Sequence, residues 1–260
     1  MSLIENKIKA RLLGGRTVTG SFLFSREPAC AEILGYAGMD FVLIDTEHTP
    51  ATSSELVHIV RAAEGSGAEP VVRVRTNDLA LILQALDVGA TGILVPRVNT
   101  AQAAKAVVRA AKYGPDGERG MAGMVRAAKY GFIAGKEYRE AANRNIFIMV
   151  QVEEVEAVRN LDEIIAVDGI DGIFIGPADL SQSMGLSGQF EHPDFHRTVL
   201  DVISRGRKAG KHVAIFCPGV ADAKRWEQAG ADIFAVSGDT VLLAQAAKQL
   251  LQDMGRQVGF

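Results

Sequence analysis

The chain has 260 residues, 48% of them hydrophobic and 23% charged, and a net charge of −3. That length can bury a large core, and the composition is that of an ordinary globular protein. No basic run of the kind that tracks a phosphate backbone is present and no apolar stretch is long enough to span a bilayer, which argues against nucleic-acid and membrane partners.

The N-terminal segment MSLIENKIKARLLGG alternates charged and apolar residues and lacks the apolar region of a secretory signal. Cys30 and Cys217 belong to no CxxC or Cys/His spacing, so two reduced, buried thiols in a cytoplasmic protein are expected.

Short runs rich in Val, Ile and Phe then recur in order: TVTGSFLF (17–24), FVLID (41–45), VVRV (71–74), GILVP (92–96), IFIMVQV (146–152), GIFIG (172–176), HVAIF (212–216) and DIFAV (232–236). Between them lie amphipathic stretches at 27–38, 53–65, 77–88, 100–112, 194–209, 219–229 and 239–253, several running into Gly as in DVGA and AGAD. Continuous apolar runs suit parallel strands covered on both faces. Eight β/α units in this length predict an α/β fold of the (β/α)8 TIM-barrel type. A doubly wound open sheet also alternates, but no GxGxxG turn follows the first strand. No linker interrupts the pattern, so residues 1–260 read as one barrel domain. The long interval 113–135 reads as a Gly-rich loop and then a helix. The hexapeptide RAAKYG occurs twice, at 109–114 and 126–131, and reads as two helix ends of similar composition rather than a repeat.

In a parallel barrel, functional groups gather where strands end. After the second run come Asp45, Glu47 and His48; the third carries Arg73; the fifth ends at Gln151, Glu153 and Glu154; the sixth runs into Pro177-Ala178-Asp179. Glu153 and Asp179 end consecutive strands about 4.8 Å apart, so they could share an Mg²⁺- or Mn²⁺-type ion. They equally fit a helix N-terminal acid and an N-cap. Arg73 within an apolar strand demands either a structural carboxylate or a bound anion. Asp87, at a helix end, is poorly placed for the helix dipole, which hints at a specific partner. His58, His192, His196 and His212 show no ligand pairing.

The stretches LIDTEHTP, VVRVRTND, LDVGATGILVPRVNTAQAA, YGPDGERG, VQVEEVEAVRNLDEI and VDGIDGIFIGPADLSQSMG occur in the order found in the HpcH/HpaI family of class II pyruvate aldolases, which this chain resembles over most of 20–240. The resemblance implies a phosphoenolpyruvate/pyruvate-binding type of barrel that cleaves a 4-hydroxy-2-oxo acid to pyruvate and an aldehyde, as in 4-hydroxy-2-oxoheptanedioate and 2-keto-3-deoxy-sugar-acid aldolases of aromatic or sugar-acid catabolism. It implies a divalent metal (Mg²⁺, Mn²⁺ or Co²⁺) on Glu153 and Asp179. Gln151 and the backbone around Ala178 would line the pyruvate site. His48 would be the base, supported by Asp87, with Arg73 stabilising the transition state and Asp45 and Glu47 in support around the loop and the metal's waters. A homo-oligomer, hexamer or trimer, whose subunits contribute to each other's sites is also implied. Phe22 stands where the family often has Trp, Thr49 where Gly or Ala follows the His, and PRV where some members have PMV. These departures bear on the aldehyde more than on pyruvate. Oxaloacetate decarboxylation, citrate-lyase-type cleavage of an acyl-CoA, and a metal- and oxoacid-binding scaffold without catalysis are the competing readings.

Overall fold

The computed structural model describes residues 5–133 and 135–256; the first four residues of the N-terminal segment and the last four of the chain lie outside the described residues. Eight strands form where the apolar runs predict them: β1 (Val18–Leu23), β2 (Phe41–Asp45), β3 (Glu69–Arg73), β4 (Gly92–Val95), β5 (Phe147–Val152), β6 (Gly172–Ile175), β7 (His212–Cys217) and β8 (Ile233–Gly238). Each pairs in parallel with the next, and β8 returns to β1, which closes the (β/α)8 barrel.

Strand alternation divides the core in two. Phe22, Leu43, Val71, Leu94, Met149 and Phe174 fill the barrel interior. Their neighbours, among them Ile44, Val72, Ile93, Val150, Ile173 and Ile215, pack outward against the helices. The predicted helices are present as α2 (Pro28–Tyr36), α3 (Ser53–Ser66), α4 (Leu79–Asp87), α5 (Ala101–Ala111), α10 (Pro193–Lys208), α11 (Val220–Gln228) and α12 (Asp239–Asp253). Their starts follow local chemistry. Thr52 and Glu55 form a capping box on α3, and Asp78 accepts from the N–H groups of Ala80 and Leu81 at the start of α4. Sequence reading did not resolve α1 (Lys7–Leu13) or the short α7 (Val155–Arg159), α8 (Leu161–Ile165) and α9 (Pro177–Ser183). Helix α1 plugs the N-terminal end of the barrel, with Ile8 and Leu12 in the interior core.

The even-numbered strands share one approach. Gly38-Met39-Asp40, Gly89-Ala90-Thr91, Gly169-Ile170-Asp171 and Gly230-Ala231-Asp232 precede β2, β4, β6 and β8, and each Gly has φ between 92° and 106°. That left-handed turn ends the preceding helical segment at little steric cost. Each Asp then accepts the N–H of its partner on the preceding strand at 2.8 Å: Thr19, Ile148 and Val213. The residue opposite Thr91 is Pro70, which has no N–H to offer, and there the Thr91 hydroxyl donates to the Pro70 carbonyl instead at 3.3 Å.

Two expectations change, on the second RAAKYG and on the cysteines, and the last helix stands apart from the others. The second RAAKYG is not a helix end but a 3-10 turn (Arg126–Gly131), with Lys129 and Tyr130 at positive φ; the helix of that interval comes later, as α6 (Lys136–Asn145). Cys217 is buried in the sheet–helix layer, where burial pushes its thiol up to about 12, whereas Cys30 is only half-buried. Helix α12 does not cover its own barrel: apart from Asp239 it is almost entirely exposed, with Leu243 71%, Leu250 63% and Met254 67% accessible. Among the described residues no helix is long and apolar enough to cross a membrane.

Candidate active site

Asp45 and Arg73 are register partners at the C-terminal ends of β2 and β3. Arg73 is only 6% exposed, and such burial requires pairing. Its Nε donates to Asp45 Oδ1 at 2.8 Å, Nη1 lies 3.3 Å from Glu47 Oε2, and the guanidinium stands 4.8 Å over the Phe22 ring centroid. Nη2 has no protein partner among the described residues. The contact with Glu47 is an attraction of charges rather than an aligned hydrogen bond, because Glu47 Oε2 is buried without a hydrogen-bond partner. Burial raises the Glu47 carboxyl above its ordinary range, against the pull of Arg73 and His48.

Asp45 also shapes the loop that follows it. Its carboxylate accepts the N–H of Glu47 at 3.0 Å and of His48 at 3.3 Å, and the Thr49 hydroxyl donates to its carbonyl. His48 is thereby held at the mouth with its side chain 60% exposed, Nε2 3.8 Å from Glu47. An accessible imidazole beside a carboxylate is placed to exchange a proton with a ligand.

Across the mouth, β5 delivers Gln151 inward and ends at Glu153, which is 3% exposed. Glu153 Oε1 accepts the backbone N–H of Arg97 at 2.8 Å, and Oε2 accepts from the Gln151 amide. Burial pushes its carboxyl up to about 7, helped by the charges of Asp179 and Glu47. Asp179, in the first turn of α9, is exposed and close enough to act on Glu153 in this way. Ala178 precedes it on the same turn. Gly176 is demanded by this packing: a Cβ there would sit 2.8 Å from Gln151 Nε2 and 3.2 Å from Glu153 Oε2. Phe22, Phe24, Phe174 and Phe216 form an aromatic floor, Phe22 stacked on Phe24 at 5.2 Å and edge-on to the other two. Gln151 Oε1 is buried without a partner.

Among the described residues no three His, Cys, Asp or Glu converge as a metal set. Of the four carboxylates at the mouth, Asp45 and Glu47 face Arg73, which leaves Glu153 and Asp179. That hard-oxygen pair is compatible with an Mg²⁺-type ion, which binds through one or two carboxylates and leaves its other positions to water or substrate. The mutual repulsion felt at Glu153 is relieved by a cation, so the donor set fits.

The mouth brings together Phe22, Asp45, Glu47, His48, Arg73, Gln151, Glu153, Ala178 and Asp179. It does not include Asp87 of the same chain. Helix α4 runs away from the mouth for nine residues, which carries its end on the order of 13 Å toward the opposite face. There Asp87 accepts from Arg119 Nη2 at 2.7 Å, beside Tyr113 and Tyr138. Sequence reasoning missed the Arg97 N–H, Gly176, Phe24 and Phe216. It placed Asp239 at the end of the eighth strand without giving it a role; the residue accepts the N–H groups of Phe24 and Ser25 and pins the end of β1 to α12. Gly176 could have been found from its place between a strand and the Pro of a new helix.

Fold and site thus define a parallel barrel with a carboxylate pair and a paired, buried guanidinium at its C-terminal mouth. The family model for HpcH/HpaI aldolase/citrate lyase matches residues 18–246. A 2-keto-3-deoxy-L-rhamnonate aldolase of Klebsiella pneumoniae is 42% identical, covering 96% of this chain and 93% of its own. A 4-hydroxy-2-oxo-heptane-1,7-dioate aldolase of Shigella sonnei is 40% identical over 98% of this chain and 97% of its own. Among solved structures, an HpcH/HpaI aldolase/citrate lyase family protein from Burkholderia cenocepacia superposes with a TM-score of 0.92 at 36% identity, covering 96% of this chain and all of its own. The chain belongs to the HpcH/HpaI aldolase/citrate lyase family and is an aldehyde-lyase.

Proposed function

We propose that the protein is a divalent-metal-dependent aldolase that reversibly cleaves a 4-hydroxy-2-oxo acid to pyruvate and an aldehyde. The observation that carries this is the facing of Glu153 and Asp179 by the buried guanidinium of Arg73 at one mouth. Glu153 and Asp179 would hold the cation, which would supply Lewis acidity toward the substrate's carboxylate and 2-oxo oxygen. Gln151 and the α9 turn at Ala178 would orient the pyruvyl half above Phe22. When the C3–C4 bond breaks, its electron pair passes into the C2–C3 unit and charge develops on the 2-oxo oxygen, where Arg73 Nη2 can donate. His48 accepts the C4 hydroxyl proton as that carbon becomes the aldehyde, and returns it in the aldol direction. Asp45 and Glu47 hold Arg73 and the His48 loop in place.

Asp87 supports His48 from a neighbouring copy in this reading, since it lies at the far face of its own barrel. The uncovered α12 favours the same conclusion, a homo-oligomer, with trimer or hexamer as the expected state. Its apolar residues would be covered by another subunit.

A lactate dehydrogenase-coupled assay over 4-hydroxy-2-oxo acids and oxaloacetate tests the activity. EDTA should abolish pyruvate release and Mg²⁺, Mn²⁺ or Co²⁺ restore it, and calorimetry should show metal binding lost in Glu153→Gln. His48→Ala should lose about 100-fold or more in kcat while remaining folded. Turnover indifferent to chelation removes the metal role. Consumption of oxaloacetate alone replaces the aldolase with a decarboxylase, and metal-dependent binding without turnover leaves a scaffold.

A further inference from the structure

Beside α1, at the end of the barrel opposite the mouth, α6 faces the loop that follows α5 across a cleft of about 540 Å³. Lys136, Arg139, Glu140, Asn143 and Arg144 recur at helical spacing on one face of α6, and all five line the cleft. The walls are held at a fixed separation. Asn143, only 9% exposed, accepts the N–H of Tyr113 at 2.8 Å and donates to the Tyr113 carbonyl at 2.9 Å and to Asp116 at 3.0 Å. The loop is folded back on α5: the Glu118 N–H meets the Arg109 carbonyl at 2.7 Å and the Arg119 N–H the Lys112 carbonyl at 2.8 Å. A Cβ at Gly117 would stand 2.7 Å from the Arg109 oxygen, so the turn closes only with glycine. The cleft is therefore preformed.

Five cations line it against two carboxylates, in a chain whose net charge is −3. Lys9 pairs with Asp171 at 2.8 Å and Lys136 with Glu140 at 3.7 Å, while Asp116 is taken by Asn143. Lys112, Arg139 and Arg144 form no ion pair among the described residues, and Arg139 reaches only the Met121 sulfur at 3.2 Å. Lys112 and Arg139 are half-buried, and a cation drawn partly out of water without a carboxylate is held at a cost. We propose that this cleft is a second ligand site, for a small dianion of the phosphate type. Counting Asp171, the cations exceed the carboxylates by two, which a dianion balances. Three terminal oxygens can accept from Lys112, Arg139 and Arg144 together, which the two oxygens of a monocarboxylate cannot. The volume is that of a small-molecule site and exceeds the phosphate group itself, which favours a phosphate ester over the inorganic ion. No residue of the mouth takes part, so the inference stands or falls apart from the aldolase reading.

Calorimetry in EDTA, where no metal holds an anion at the mouth, tests it with glucose 6-phosphate, inorganic phosphate and glucose. Glucose 6-phosphate should bind most tightly and glucose not at all. Lys112→Gln/Arg144→Gln should weaken the ester about tenfold, since each exposed charge contributes modestly. Glu140→Gln removes a carboxylate and releases Lys136, so it should tighten binding, about twofold to threefold. That variant, on an exposed position, decides alone should the double one not fold. Equal affinity for the two anions, weakened alike in Lys112→Gln/Arg144→Gln, keeps the site and makes inorganic phosphate its occupant. Affinity unchanged in the folded double variant, or not raised in Glu140→Gln when that variant decides, places the anion elsewhere and overturns the inference. Absence of heat from either anion at about 10 mM, where millimolar affinity registers, overturns it as well.

Discussion

Glu153 holds a carboxylate in a nearly dry position against two other acids, and the strain appears as its affinity for a proton. The unfolded chain releases that proton near the ordinary 4.5, the folded one only near 7. A raised carboxyl contributes stability that is fully present below the lower value and lost as pH rises through the upper one. In EDTA, the folded protein should therefore lose on the order of 3 kcal/mol between about pH 4.5 and 7 from this residue. Urea unfolding at pH 5 and 8 should show the loss in the unsubstituted protein and a much flatter response in Glu153→Gln. Equal pH slopes in the two would show that the buried charge sits elsewhere. At this scale the sequence was readable where chemistry is conspicuous: an Arg in an apolar strand, acids at consecutive strand ends. It marked Arg97 only as part of the PRV departure and did not foresee its backbone N–H on Glu153, and it gave no part to Gly176, whose part is to have no side chain.

Strands and helices were legible because both periods are clean: apolar runs for β1 to β8, and amphipathic stretches bounded by caps for the long helices. What could not be read was the elements' surroundings. The segment of α1 has a short amphipathic pattern, and nothing local says that it stops the barrel's lower end. The second RAAKYG shares its letters with a helix terminus, but no flanking helix continues it, and a 3-10 turn results. The Gly-x-Asp approach to the even strands was visible only as helix ends running into Gly; its meaning lies in the N–H it meets across the sheet. That meaning makes a prediction. Asp171→Ala should cost about 1–3 kcal/mol by leaving the Ile148 N–H unmet. Thr91→Asp, which imposes the same motif on β4, should destabilise rather than help, since Pro70 has no N–H for the new carboxylate. Chemical denaturation of both variants decides the matter; a stabilising Thr91→Asp would refute the explanation.

For the whole molecule, the distance between His48 and Asp87 within one chain is the decisive fact. If the two cooperate, they do so between copies, and two dead proteins can repair each other. His48→Ala and Asp87→Ala should each be inactive, and mixed subunits co-assembled from both should regain turnover. In an equal random mixture about a quarter of the paired positions receive an intact His48 and an intact Asp87. No recovery on co-assembly, in oligomers shown to be mixed, would assign Asp87 to its salt bridge with Arg119 alone. The family resemblance implied subunits that complete each other's sites, but the residues alone could not say so, because a helix-end acid looks the same whether its partner is in its own chain or the next.

The uncovered α12 has a kinetic consequence. Closing the barrel is a first-order event within one chain, but in the proposed oligomer burying α12 on a neighbour is second order, with a rate set by how often chains meet. Between those events a closed barrel carries a band of leucines in water, open to any wrong partner. Scarce chains wait longest in that state, so the yield of well-assembled enzyme depends on how fast it is made as well as on how well it folds.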